Sequence, residues 1–300
     1  MTALPRLDAA EAAEATNIHY EQPAELFEAF LGRHMKYTCA LFSGPDDSLD
    51  DAQEAYLRVI ARQLGLSGGE RVLDVGCGWG SLSLFLAGQL GCHVVAVTPS
   101  RVQAGYVRRR AAEAGTGHLV RVETGPFQTV AQTAAQTAAL PERSFDAVAM
   151  VEVIEHLPEH RQPLERAYRL LRRGGRLFLS ASCYRSRTDQ EEFESRPASL
   201  HALRLYGFTA MSPLSQLLAE AEDAGFSIAG LIDTTAHYGP TMDHWQRGIE
   251  RNLDLMEAVR PGFAGELVRY FDTARASWGY TAKHYAVTAV RSRLGHTELP

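Results

Sequence analysis

The stretch VLDVGCGWG (72–80) constrains this chain more than any other feature. A short apolar run, RVLDV (71–75), turns through Gly76, Gly78 and Gly80 into an apolar helix, SLSLFLAGQL (81–90). Glycines at such a turn let the backbone approach a ligand and adopt positive φ. The rhythm then repeats. HVVAVT (93–98), HLVRVET (118–124), FDAVAMVEV (145–153) and GRLFLSAS (175–182) read as strands. RVQAGYVRRRAAEAG (101–115) and Gln162–Leu171 read as the helices between them. Strands alternating with helices about every 25 residues predict a parallel, doubly wound α/β sheet. Ligands bind such sheets beyond the carboxyl ends of the strands.

Around this centre the pattern is different. Ile18 to Leu31 carries apolar residues at helical spacing, and SGPDDSLDD (43–51) has helix N-cap chemistry before a helix from about Asp51 to Leu64. Residues 183–211 break the alternation and predict an insertion over one end of the sheet. SPLSQLLAEAEDAGF (212–226) predicts a capped helix and SIAGLIDTT (227–235) a sixth strand. One helical stretch from Thr241 to about Trp278 precedes a last strand, HYAVTAVRS (284–292). The expected parts are a helical cap at 1–52, a Rossmann-like core at 53–182, the insertion at 183–211, and the end of the core at 212–300 with a helical lid at 241–278. QTVAQTAAQTAAL (128–140) is low in complexity and suggests an Ala-rich helix or solvated loop.

Composition narrows the function. The 300 residues are 45% hydrophobic and 22% charged with a formal charge of −6, which is globular and gives no drive toward a phosphate backbone. No apolar run approaches the ~18 residues of a membrane span, and no secretory h-region is evident. Cys39, Cys77, Cys92 and Cys183 lack CxxC spacing, so neither a zinc site nor a disulfide framework is expected and a reducing cytoplasm fits.

The pattern G-x-G-x-G, with Asp74 two residues before Gly76, resembles motif I of class I S-adenosylmethionine (SAM)-dependent methyltransferases. A dinucleotide loop, G-x-G-x-x-G, differs by one residue of spacing. The second strand ends without a carboxylate, in HVVAVTPSRVQ (93–103). Further segments agree with one branch. IHYEQPAELFEAFLGRHMKYTCALF (18–42), the AQ-bearing helix at 49–64, AVTPSRVQAGY (96–106), VEVIEHL (151–157) and HYGPTMDHWQRGIERN (237–252) occur in order. Over roughly residues 18–292 the chain resembles the cyclopropane-fatty-acid synthase-like family, which includes mycolic-acid cyclopropane synthases and plant alkaloid N-methyltransferases.

The resemblance implies a class I methyltransferase fold, with a mostly parallel seven-stranded sheet, and SAM as cofactor. It assigns Tyr37 and Thr38 to the methionine end, Asp74, Gly76, Gly78 and Gly80 to the glycine loop, and Thr98 and Gln103 to the ribose. Pro126 and Phe127 would flank the adenine, where the family carries Trp-Glu or an acidic pair. The family's cyclopropane synthases bind bicarbonate as base, which points to Cys39, Glu155, Tyr270 and the backbone near Val151. The family's histidine on the fifth strand is Ser180 here, which weakens any bicarbonate site. Glu155 and His156 stand as candidate acid–base residues, with Glu152 beside them. Tyr20, Tyr206, Phe208, Tyr238, Trp245 and Trp278 are candidate substrate aromatics. Each has a structural alternative: Cys39 as a small core residue, Glu155 as a helix-start carboxylate, His156 and Tyr270 as packing, the aromatics as core.

The expected activity is methyl transfer to a carbon or nitrogen of a mostly apolar small molecule of specialised metabolism. The alternatives are cyclopropanation or C-methylation of unsaturated fatty acyl chains, and a SAM-binding scaffold without catalysis. No metal, nucleic acid or integral membrane association is expected; a small-molecule or lipid partner is, and a homo-oligomer stays open.

Overall fold

The structure is a computed structural model that describes residues 20–130, 140–157, 159–196, 211–277 and 279–292. The helices α1 (Ala24–Leu31) and α2 (Leu49–Leu64) lead into β1 (Arg71–Val75), α3 (Ser81–Leu90), β2 (His93–Thr98), α4 (Arg101–Glu113) and β3 (Val120–Thr124). Next come β4 (Phe145–Val151), a 3₁₀ turn at Ile154–His156, α5 (Arg161–Leu170), β5 (Leu171–Tyr184) and α6 (Arg187–Glu194). β6 (Ser212–Pro213), α7 (Leu214–Asp223) and β7 (Ser227–Asp233) follow. The last elements are α8 (Thr235–Arg251), α9 (Leu253–Val259), α10 (Phe263–Ser277) and β8 (Ala282–Val290).

The strands lie in the order β3-β2-β1-β4-β5-β8-β7. β1 to β5 are parallel, and β8 runs antiparallel between β5 and β7. The two-residue β6 pairs with Cys183 and Tyr184 of β5 and adds an eighth strand to the seven expected. Successive side chains of each strand go to opposite faces, so the sheet feeds two cores. Val72, Val94, Ala147, Ala149 and Phe178 pack with α1 and α2 on one face. Leu73, Val75, Val97, Met150 and Leu179 pack with α5 and α7 on the other.

Helix ends follow local chemistry. Ser48 caps α2 by accepting from the Asp51 amide, and Ser100 caps α4 by accepting from Gln103. The helical stretch expected over 241–278 is divided into three helices and begins six residues earlier, at Thr235. α8 ends at Asn252, whose side-chain amide donates to the carbonyls of Gly248 and Ala29. α9 ends at Arg260, which is held extended before Pro261, as proline requires of the residue that precedes it. These helices are packed on α1. Met242, Trp245, Ile249, Met256 and Phe271 belong to the same core as Leu26, Phe27 and Phe30 of α1. Gly248 permits the contact, because a Cβ there would lie 2.8 Å from Phe30 Cα. Of the insertion 183–211, the described part ends β5 and forms α6; Tyr206 and Phe208 fall outside the described residues, as does Trp278.

Candidate active site

A cleft with about 1140 Å³ of empty space opens beyond the carboxyl ends of β1, β2 and β4. One wall is the glycine loop. Gly76 sits at φ 68°, and a Cβ there would lie 2.3 Å from Val153 Cγ2, so only glycine fits both the conformation and the space. The Cys77 amide donates to the Val97 carbonyl at 2.9 Å and ties the loop to β2. Asp74 accepts from Ser83 Oγ at 2.6 Å; burial raises its carboxyl to about 7, against that hydrogen bond. Thr98 donates to Gln103 Oε1 at 2.8 Å, and both line the cleft. Phe127 closes the far end, with the Arg166 guanidinium 4.8 Å from its ring centre and bonded to the carbonyls of Phe127 and Val130.

The opposite wall is the turn before α2. Tyr37 and Thr38 line the cleft, and the Tyr37 ring is set by Phe27, Phe30, Trp245 and Phe271, with centroids 5.1–6.4 Å away. Lys36 lines it too, yet is only 1% exposed. Its ammonium donates to Thr38 Oγ1 and to the Cys39 carbonyl and lies 4.5 Å from the Tyr56 ring centre. Burial pulls Lys36 down to about 8, against the attraction of Glu152 and Cys39.

Between the walls stands an acid centre. Glu152 follows β4 at φ 55°, a strained value for a residue with a side chain, of the kind found at functional sites. Its Oε1 accepts from the Cys39 amide at 2.8 Å and lies 3.1 Å from His284 Nε2. Its Oε2 accepts from the Tyr238 hydroxyl. Burial works to raise its carboxyl, but His284, then Lys36 and Tyr238, hold it below the usual range. His284 is fully buried on β8, with Nδ1 2.5 Å from Thr234 Oγ1. Glu155, three residues on, has the opposite character. It accepts from the Ser182 amide at 2.9 Å, while its other oxygen is buried with no hydrogen-bond partner among the described residues. Burial, then the charge of Glu152, raises its carboxyl to about 8. At neutral pH Glu152 is therefore the anion and Glu155 the neutral acid, two carboxyls driven apart by their surroundings. The Tyr20 phenol is also buried against this pair, which raises its pKa.

The cleft brings together Tyr20, Tyr37, Thr38, Asp74, Gly76, Gly78, Thr98, Gln103, Phe127, Val151 and His156 of the residues singled out in the sequence. Others lie behind it. Gly80 is the N-cap of α3. Cys39 is fully buried with its thiol on the carbonyls of Ala40 and Thr234, and burial pushes that thiol well up. Trp245 is core, and Tyr270 packs against Phe271 at 5.4 Å. The phenol that meets the acid centre is Tyr238. Ser180 is fully buried on β5, where it pairs in register with Ala286 of β8. Sequence reasoning missed Lys36 and His284. A lone charged residue inside MKYTCALF and a histidine opening HYAVTAV are the only signals, and neither shows burial by itself.

The residues present fit SAM. A Cβ at Gly78 would meet only the Gly76 carbonyl, at 4.0 Å, so backbone is open to a ligand there. The buried indole N–H of Trp79, in the same wall, has no partner among the described residues and suits a carboxylate. Among the described residues no group of three or more His, Cys, Asp or Glu is placed to hold a metal ion, and no helix is long and apolar enough to cross a membrane.

Sheet order, glycine loop and cleft define a class I, Rossmann-like methyltransferase fold. The model of the mycolic acid cyclopropane synthetase family matches residues 8–280, and the chain belongs to that family of SAM-dependent methyltransferases. A probable fatty acid methyltransferase of Pseudomonas putida is 26% identical over 96% of this chain and 72% of its own length. One from Mycobacterium tuberculosis is 28% identical over 94% of this chain and 59% of its own length. The chain spans about half the length of the fungal sphingolipid C9-methyltransferases it matches, 47% in that of Candida albicans. Among solved structures, the cyclopropane synthase MmaA2 of M. tuberculosis superposes with a TM-score of 0.80 at 23% identity, over 92% of this chain and 97% of that one. Coclaurine N-methyltransferase bound to N-methylheliamine and S-adenosylhomocysteine (SAH) gives 0.77 at 22% identity, over 95% and 84%.

Proposed function

We propose that the protein transfers a methyl group from SAM to a nitrogen or carbon of a mostly apolar small molecule, a specialised metabolite. The observation that carries this reading is the ionised, strained Glu152 in a cleft wall otherwise rich in aromatic and aliphatic side chains. SAM brings an activated sulfonium methyl. The chain's own residues then have three tasks: to hold the acceptor in line, to exclude water, and to take up the proton the acceptor releases. Tyr20, Tyr37 and Phe127 offer apolar surface and π-faces to the acceptor or cofactor. Glu152 is the ionised group placed to receive the proton, with Tyr238 hydrogen-bonded to it. His156, also in the cleft, is a second candidate.

Incubation with SAM bearing a deuterated methyl group, against a panel of amines, indoles, isoprenoids and unsaturated acyl lipids, tests this. Mass spectrometry is expected to find the label in an amine or a non-acyl carbon acceptor. Label in acyl lipids alone would favour the second reading, fatty acyl C-methylation or cyclopropanation, which the Pseudomonas and Mycobacterium relatives' names support. Binding of SAH with no labelled product from any class would leave a scaffold without catalysis.

A further inference from the structure

We infer that Lys36 is a positioning residue, a buried cationic clamp that fixes the cofactor-facing turn 36–39 and, through the Cys39 backbone, the carboxylate of Glu152. The inference rests on the cofactor reading above. Three contacts converge on one ammonium. Donation to Thr38 Oγ1 fixes a cleft-lining hydroxyl. Donation to the Cys39 carbonyl, at 2.5 Å, fixes one side of the residue whose own amide, in the preceding peptide unit, donates to Glu152 Oε1 at 2.8 Å. The Tyr56 ring of α2 covers the ammonium at 4.5 Å. Gln53 of α2 closes the turn from behind, its side-chain amide donating to the carbonyls of Leu31 and Lys36.

An isolated ammonium in this core would be strongly disfavoured, so its retention calls for a charge partner. Glu152 is that partner, since each group's ionised form favours the other's. A methionine of similar length would fill the space and satisfy none of these acceptors. The other groups facing the clamp are the Cys39 thiol on its own turn, the Tyr56 phenol of α2, and, across Glu152, Tyr238 of α8 and His284 of β8. Glu155 and Asp74 also titrate near the working range, and Glu155 needs a control because it shares the window around 8.

Calorimetric titration with SAH from about pH 6.5 to 9.5 tests the clamp without any acceptor. Wild type is expected to weaken about tenfold above about pH 8, as the ammonium is lost, separately from any step near pH 7 that Asp74 contributes. Lys36→Met is expected to bind about tenfold more weakly at pH 7, with no such limb. Lys36→Arg keeps a charge that does not titrate, so its affinity stays flat to pH 9.5. Glu155→Gln is expected to keep the wild-type limb. Where Lys36→Met fails to fold by circular dichroism, Lys36→Arg alone decides. A wild-type limb in Lys36→Arg, or a folded Lys36→Met binding within twofold of wild type, overturns the inference. So does disappearance of the limb in Glu155→Gln. If wild type itself binds no SAH, the cofactor reading falls and the clamp's role in cofactor binding falls with it, a result distinct from variants that bind as wild type does.

Discussion

The two walls of the cleft are built in opposite ways. The glycine-loop wall is local: Asp74 to Trp79, Thr98 and Val151 lie at the ends of adjacent parallel strands, and each strand's own sequence places them. The facing wall is assembled from afar. The turn carrying Lys36, Tyr37 and Cys39 is held by Trp245 and Phe271 from the C-terminal helices and by Glu152 from the end of β4. The contact between the Cys39 amide and Glu152 spans 113 residues. A local wall survives damage elsewhere in the fold, whereas an assembled wall transmits it.

That contrast can be broken experimentally, most severely in the assembled wall. Trp245→Ala is expected to lose about 3–5 kcal/mol of stability, the usual cost of emptying a buried aromatic site. Urea unfolding measures it, and weakened SAH binding should accompany it because Tyr37 loses a wall. Glu152→Gln is expected to lower kcat about 10²- to 10⁴-fold while the variant still binds SAH. Single-turnover product formation against calorimetry separates those two effects. Gly76→Ala strikes the local wall. Left-handed strain and the clash with Val153 together cost about 2–4 kcal/mol, and SAH binding should vanish.

Smaller effects sharpen the contrast. Glu155 has its folded carboxyl raised from 4.5 to about 8. Between those values the native state binds a proton that the unfolded chain releases, so this group's contribution to stability falls as pH rises. Glu155→Gln is expected to flatten the dependence of unfolding free energy over that window; Asp74, raised to about 7, leaves a residual slope of the same sign. Last, Tyr270→Phe should keep kcat within about threefold, since the ring packs on Phe271 and does not line the cleft, and the substitution keeps the ring. Tyr238→Phe, at the acid centre, should lose tenfold or more.

The strands, the glycine loop and the capped helices were legible because their signals are short in range. Period-two and period-3.6 patterns, the N-cap chemistry of 43–51 that Ser48 supplies, and glycines after a buried strand need no knowledge of the fold, whereas the capped helix expected at 212–226 starts after Pro213 with no side-chain cap. The residues assigned to the cofactor sit where strands end, so their place in one cleft followed from the same short-range signals. The acid centre was half legible. VEVIEHL announced two glutamates three apart, but nothing in that segment says which is charged. His284 and Lys36 decide it, and they come from the last strand and the first turn. The amphipathic pattern of 241–278 fits a helix over a cleft and a helix in a core equally well, and only the contact with α1 shows which side chains are buried.

The sequence by itself determined the parallel sheet, the place of the glycine loop and the family of chemistry, since each depends on neighbouring residues and on backbone conformation. Only the tertiary structure decided which carboxyl is ionised, which tyrosine serves it and which lysine braces it. Those are questions of burial and Coulomb attraction, and both are set by the distance between groups in space rather than along the chain.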